Sequence, residues 1–224
     1  MRRFAFIIAA AWIMTSCTRA PDSIPTQAIV PTNAQLPSVP TPLGSSQEET
    51  APVFPLTSVS PDDFFIRNGI TLPAPTCNGL TQPQTEGPYY TPNTPERNSL
   101  LEEGMPGTRL ILVGYVLDQN CLPLSNAWLD FWQADANGEY DNSGYRLRGH
   151  QFTDAQGRYH LETIVPGLYP QRPIEHIHVK VQPQGGEVWT SQLYFPQQPI
   201  EGLTVTIEDK GEYLIGYFNF VVQK

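Results

Sequence analysis

His176-Ile177-His178 stands at the start of a strand-like run that extends to Val181. Side chains of a β-strand alternate with a period of two, so both imidazoles project to one face while Ile177 points to the other. This places two nitrogen donors side by side. The sequence has 4 histidines, and the remaining two, His150 and His160, sit in turn-rich or polar contexts that read as solvated. A zinc or ferrous site would ordinarily take a further His, a Cys or a carboxylate. The nearby carboxylates are poor candidates: Glu175 precedes the pair and so faces away, and Asp154 lies in a turn whose backbone it serves. The region is instead rich in tyrosine, with Tyr140, Tyr145, Tyr159 and Tyr169 before the pair and Tyr194 after it. Phenolate is a hard anionic donor, and a reference pKa of about 10 means that only a strongly Lewis-acidic cation ionises it at neutral pH. Ferric iron meets that requirement better than zinc. Taken alone, the His-x-His pair is compatible both with metal ligation and with a solvated or hydrogen-bonded pair.

The elements that must position these residues are short. Runs rich in β-branched and aromatic residues cover Arg109 to Leu117, Ala127 to Gln133, Arg158 to Ile164, His176 to Val181, Trp189 to Phe195, Leu203 to Glu208 and Tyr213 to Val222. Turn signals separate them, among them Ala136-Asn137-Gly138, Asp154-Ala155-Gln156-Gly157, Pro166-Gly167 and Asp209-Lys210-Gly211. Short strands with regular punctuation and no long helical period predict an all-β fold, an antiparallel β-sandwich with long loops. Only Pro95 to Glu103 reads as a brief helix.

Ahead of this domain the composition changes. Met1-Arg2-Arg3 leads into an apolar stretch from Phe4 to Met14, too short to span a bilayer as a mature helix, which reads as an export signal. Thr15-Ser16-Cys17 follows, and it resembles the lipobox of bacterial lipoproteins, in which the cysteine becomes the lipidated first residue. The expectation is an exported chain, lipid-anchored to the bacterial cell envelope; the alternative is an ordinary signal peptide. Residues 18–75 are rich in Pro, Ser, Thr and Gln and form a disordered linker on this reading, leaving residues 76–224 as the folded domain. The short Asp62-Asp63-Phe64-Phe65-Ile66 patch could dock on that domain, although nothing local fixes it. Removing Cys17 from a total of 3 cysteines leaves Cys77 and Cys121, which predict a disulfide in an oxidising compartment. In the chain-entropy account such a bridge contributes at most roughly 4 kcal/mol. The net charge of -9 and the absence of a Lys/Arg cluster in the mature part argue against a nucleic-acid partner.

Several segments in order resemble the intradiol ring-cleavage dioxygenases. They are Thr85-Glu86-Gly87-Pro88-Tyr89-Tyr90, Trp132-Gln133-Ala134-Asp135 through Tyr140, Leu147-Arg148-Gly149, Pro166-Gly167-Leu168-Tyr169-Pro170, Arg172-Pro173, His176-Ile177-His178 and Gln192-Leu193-Tyr194-Phe195. The resemblance implies a prealbumin-like sandwich holding one Fe(III) per chain on Tyr140, Tyr169, His176 and His178. It implies that Tyr169 yields to substrate, that Arg172 and Gln192 polarise and orient it, and that Gly87, Pro88 and Tyr89 line its pocket. The substrates would be a small aromatic diol and dioxygen, and the product a muconate-type diacid. Arg172 stands four residues before His176, where the family commonly has three, and the gap after Tyr169 is shorter than in protocatechuate dioxygenases. Arg148 reads equally as a surface charge or as a residue lining the site, Trp132 as core, and Tyr145 and Tyr159 as packing or rim residues.

Two other classes compete. Gly114 to Asp118 with Pro123-Leu124, and Thr153-Asp154 to Tyr159 with Pro166-Gly167-Leu168-Tyr169, are also the pattern of non-catalytic prealbumin-like or carboxypeptidase-regulatory-like modules, which do not require His176, His178 or Gln192. A zinc hydrolase built on the histidine pair is the other.

Overall fold

Two β-sheets face each other across one apolar layer. The computed structural model describes residues 63–224; the export signal, Cys17 and the linker up to residue 62 lie outside the described residues. The strands are β1 (Arg109–Asp118), β2 (Trp128–Trp132), β3 (Arg148–Phe152), β4 (Arg158–Ile164), β5 (His176–Gln182), β6 (Trp189–Tyr194), β7 (Thr206–Asp209), β8 (Leu214–Tyr217) and β9 (Phe220–Val222). One sheet runs β4-β1-β8-β7, with β9 also on β1, and the other runs β3-β2-β5-β6. Period-two alternation sends Leu110, Leu112 and Leu161 from the first sheet, and Leu129, Phe131, Ile177, Val179, Val181 and Leu193 from the second, into a shared core. The β3-β2-β5-β6 sheet is antiparallel throughout. In the other, β1 pairs with β8 and with β9 in parallel, so the sandwich is mixed in detail.

The run Tyr213 to Val222 contains two strands because its parallel pairing with β1 is interrupted at Phe218 and Asn219. Phe218 donates its N–H to the Val113 carbonyl, and Asn219 Oδ1 accepts from the Tyr115 N–H. A Cβ at Gly114 would lie 1.8 Å from the Phe218 carbonyl oxygen, so only glycine admits this close approach. Strand β3 carries none of the β-branched pattern that marked the others; its register on β2, not its composition, makes it a strand.

Pro95 to Glu103 is not helical. Glu96 bridges to His150 and Ser99 to Glu162, which seals the outer edges of β3 and β4. The backbone groups that a helix would use internally are spent on those edges, as in Arg97 N–H to His150 O and Leu100 N–H to Glu162 O.

The folded unit also begins earlier than residue 76. Asp63 caps the single-turn helix α1 (Phe64–Arg67), and Phe65 and Ile70 are buried against Ile111, Val113 and Ile215 on the outer face of the β4-β1-β8-β7 sheet. That face is apolar on β1 and must be covered. Phe64 stacks on His160 at 3.7 Å, so His160 is roofed by an aromatic ring and burial pushes its pKa down to about 4. Arg158 bridges Asp63 and Asp154 and lies 4.5 Å from the Phe65 ring. Composition alone assigned these residues to the linker; their two phenylalanines and Ile70 make them part of the fold. Beyond them, Cys77 and Cys121 are disulfide-bonded with a Cα–Cα distance of 5.7 Å, as expected.

Candidate metal centre

Register assembles the site on the outer face of the β3-β2-β5-β6 sheet. Trp132 pairs with Arg148 on one side and with His178 on the other, and His178 pairs with Gln192, so these four side chains form one row across four strands. His176 pairs with Tyr194 in the next row. His176 and His178 are both buried, with ring centroids 4.8 Å apart. Trp132 stacks on His178 at 4.8 Å and 10°, so it is both a core residue and a direct neighbour of the histidine pair.

Two loops bring the tyrosines over this face. Asp135 accepts from the N–H groups of Asn137 and Glu139, folding the turn that delivers Tyr140. The Tyr169 loop packs against it so closely that a Cβ at Gly138 would lie 2.1 Å from the Leu168 carbonyl oxygen. Tyr140 Oη then lies 3.5 Å from His176 Nε2, and the Tyr140 and Tyr169 rings meet edge to face at 5.8 Å. The segment 85–97 lies across the same face as a strap. Tyr89 stacks on Tyr140 at 4.4 Å, and Gly87 sits directly over His178, where a Cβ would be 3.4 Å from Cε1. Pro88 is exposed between them. An open cavity of about 350 Å³ leads in, lined by Tyr89, Glu139, Tyr140, Asn142, Tyr169 and Gln171.

The electrostatics favour a strong cation. Burial pushes His176 down to about 4 against the opposing Ile174 hydrogen bond, and burial followed by neighbouring positive charge pushes His178 down to about 2, so both rings are neutral near pH 7 with lone pairs free to bind. The Ile174 carbonyl accepts from His176 Nδ1 at 2.7 Å, which leaves Nε2 facing Tyr140. Burial raises the pKa of Tyr140, and Tyr169 adds to it; Tyr169 is raised by burial, with Arg172 opposing. His178 Nδ1 is buried and has no hydrogen-bond partner. Among the described residues no group of three or more His, Cys, Asp or Glu could hold a metal. A metal here would therefore depend on phenolate oxygens beside the two imidazoles. The donor set fits ferric iron: two neutral nitrogens and two ionisable oxygens.

Arg172 and Gln192 join this cluster through a residue that motif reading left without a role. Arg172 donates to Tyr194 Oη at 2.7 Å, Tyr194 donates to Gln192 Oε1 at 2.9 Å, and Gln192 Nε2 donates to the Thr85 carbonyl at 2.6 Å. Arg172 lies in a tight turn before His176, in which its N–H donates to the Tyr169 carbonyl. Tyr194 was legible as an alternating position two residues after Gln192, although its hydroxyl partners were not. The strap is further tied by Tyr90 and Thr94, whose hydroxyls donate to the buried carboxylate of Asp130, and by the Glu86–Lys180 ion pair. Thr94 also meets His150, which is therefore held by the strap and not merely solvated. Arg148 is fully buried, not a surface charge. Tyr159 is core, with its hydroxyl donating to the Phe218 carbonyl, and Tyr145 is an exposed rim residue.

A family model described as dioxygenase matches residues 85–219, the span that holds every one of these residues. The protocatechuate 3,4-dioxygenase beta chain of Burkholderia cepacia is 34% identical over 115 residues, covering 43% of this chain and 48% of that one. The catechol 1,2-dioxygenase of Candida albicans is 29% identical over 136 residues, covering 48% and 45%. The chain thus spans about half the length of the curated relatives it matches. Among solved structures, the dioxygenase domain of a dioxygenase carbohydrate-binding protein fusion from Streptomyces sp. SirexAA-E is 46% identical with a TM-score of 0.62, covering 64% of this chain and 98% of that one. The 3-chlorocatechol 1,2-dioxygenase of Rhodococcus opacus 1CP is 30% identical with a TM-score of 0.58, covering 64% and 72%. A matched span of more than half the sequence, on a sandwich of the same build, shows that this chain belongs to the intradiol ring-cleavage dioxygenase family.

Proposed function

We propose that the protein binds one ferric ion on Tyr140, Tyr169, His176 and His178 and cleaves catechol-type rings with dioxygen to muconate-type diacids. The observation that carries this reading is the convergence of two neutral imidazoles and two half-buried phenols in a cluster without a carboxylate ligand. When bound, the metal supplies Lewis acidity that ionises phenols and a chelated diol, together with the electronic route by which ring and oxygen react. The chain's own residues do the rest. Tyr169 is the ligand best placed to leave, because it lines the cavity on a loop and lacks the stacked ring that covers Tyr140. Burial raises its affinity for a proton, so on leaving it can accept one at Oη from a substrate hydroxyl. Tyr140 is held by the Tyr89 stack and stays. Arg172, fixed through Tyr194 to Gln192, directs positive charge at the ring and favours electron density on the carbon to be attacked, which is electrostatic stabilisation by a preorganised group. Gly87 and Pro88 leave the room that the ring occupies, and Tyr89 forms its wall.

A tyrosinate–ferric pair absorbs in the visible, so the purified protein is expected to be reddish with about one iron per chain. A catechol added without oxygen should shift the band, and oxygen should then restore it as a muconate forms. Tyr169→Phe should alter the colour and slow turnover more than it lowers iron content. A folded protein that stays colourless and inactive after ferrous loading and oxidation refutes the reading and favours a non-catalytic sandwich.

The same proposal places the chain outside the cytoplasm, lipid-anchored through Cys17, which together with the bonded Cys77–Cys121 pair suits an oxidising compartment. Cys17→Ala should then release the protein from the membrane fraction. Recovery of unacylated wild type in the soluble fraction would remove the anchor.

A further inference from the structure

A second row of side chains crosses the outer face of the β3-β2-β5-β6 sheet beside the row that holds His178. His150, Asp130 and Lys180 pair across β3, β2 and β5, as Arg148, Trp132 and His178 do. The two rows are two residues apart along each strand, a rise of about 7 Å. Asp130 is 1% exposed, yet among the described residues no cation forms an ion pair with it. Lys180, its cross-strand neighbour, is paired with Glu86. What the Asp130 carboxylate holds is the strap. Its Oδ1 accepts from Thr94 Oγ1 at 2.7 Å, and its Oδ2 accepts from Tyr90 Oη at 3.0 Å. His150 Nδ1 donates to the Thr94 carbonyl at 2.8 Å. A carboxylate withdrawn from water onto two hydroxyls is a costly way to fill a sheet face, and an apolar side chain would avoid that cost.

We propose that Asp130 is a positioning residue: through Tyr90 and Thr94 it fixes the place of Tyr89, the aromatic wall of the cavity. The inference rests on the reading that the cavity beside Tyr89 receives a diol. Tyr89 and Tyr90 are adjacent, and their rings diverge. Tyr89 stacks on Tyr140 at 4.4 Å and lines the cavity, whereas Tyr90 reaches Asp130, with its ring 4.8 Å from Trp132 and 4.3 Å from Lys180 Nζ. A displacement of Tyr90 is therefore passed to Tyr89 through one peptide unit. The two hydroxyls explain why the residue is a carboxylate. Each of its oxygens takes one, so a single short side chain pins both ends of the turn 90–94, in which Asn93 has a φ of 60°. Arg148 Nη1 donates to the Tyr89 carbonyl at 2.6 Å and holds the same segment at one point. One hydrogen bond leaves the strap free to turn about it, and the Asp130 carboxylate removes that freedom.

The test is a double-mutant cycle of Asp130→Ala and Tyr89→Ala in the full, iron-loaded chain, with KM and kcat for catechol as the readout. Chymotryptic cleavage after Tyr89 or Tyr90 is followed beside it in the iron-free chain. Asp130→Ala is expected to raise KM about tenfold, with kcat lowered less than about threefold and iron content unchanged. It should also speed cleavage within the strap about tenfold relative to cleavage elsewhere in the domain, because only the strap opens. In the Tyr89→Ala background it should add less than about twofold to KM, since the residue through which it acts is gone. A wild-type KM in Asp130→Ala, the full rise repeated in the Tyr89→Ala background, or cleavage accelerated equally throughout the domain would each overturn the proposal. Should Asp130→Ala not fold, Tyr90→Phe combined with Thr94→Val removes both hydroxyls, takes its place in the cycle and is held to the same outcomes. A folded, iron-loaded wild type that leaves catechol intact refutes the ring-cleavage reading itself. A wild type that cleaves catechol beside an indifferent Asp130→Ala refutes only the role of Asp130.

Discussion

His178→Ala is expected to purify folded, nearly colourless and with less than about a tenth of the wild-type iron, and to lose ring cleavage by about three orders of magnitude. The structural cost of the change is bounded. His178 Nδ1 has no hydrogen-bond partner to orphan, and the ring's main contact is the face of Trp132. Truncation therefore leaves a small cavity and costs about 1–3 kcal/mol, well short of unfolding a sandwich of this size. Tyr159→Phe is the matched control. It removes a buried hydroxyl that donates to the Phe218 carbonyl, far from the imidazoles, and should cost about 1 kcal/mol with iron content unchanged. Metal analysis and thermal unfolding on both variants separate the two effects. Full iron in folded His178→Ala would remove His178 from the ligand set.

The second large effect is on stability. A chain begun at Cys77 lacks Phe65 and Ile70 and leaves Ile111, Val113 and Ile215 uncovered on the outer face of one sheet. Such a chain should aggregate or unfold far below the temperature of one begun at residue 63. In the longer chain Phe65→Ala should cost about 3 kcal/mol, or about 10 °C in Tm, while Phe65→Leu should cost much less. Equal Tm values for the two chain lengths would show that the segment adds nothing to the fold.

Much of the architecture was legible because period-two alternation is read directly from residue types: β4 was placed residue for residue, and β1, β5 and β6 to within one. The His176/His178 pair followed from the same rule. What could not be read were the features set by partners distant in sequence. Strand β3 owes its conformation to β2, and the stretch from Pro95 is extended because β3 and β4 offer it edges. Linker composition hid the docking of Phe65, since one helical turn carries too few residues to show a period. Within the site, motif order located Tyr140, Tyr169, Arg172 and Gln192, whereas the buried state of Arg148 and the stacking of Trp132 on His178 needed the register of four strands.

The bond between Cys77 and Cys121 has a mechanical side. Tension applied through the N-terminus would first peel Phe65 and Ile70 from their sheet and then reach a covalent stop at Cys77, which passes the load to the β1–β2 connection. The strap that carries Gly87 and Tyr89 begins beyond that stop. A pulled chain would thus give up its N-terminal cover while the aromatic wall of the cavity stays in register, and reduction of the disulfide would carry the same force directly into the pocket.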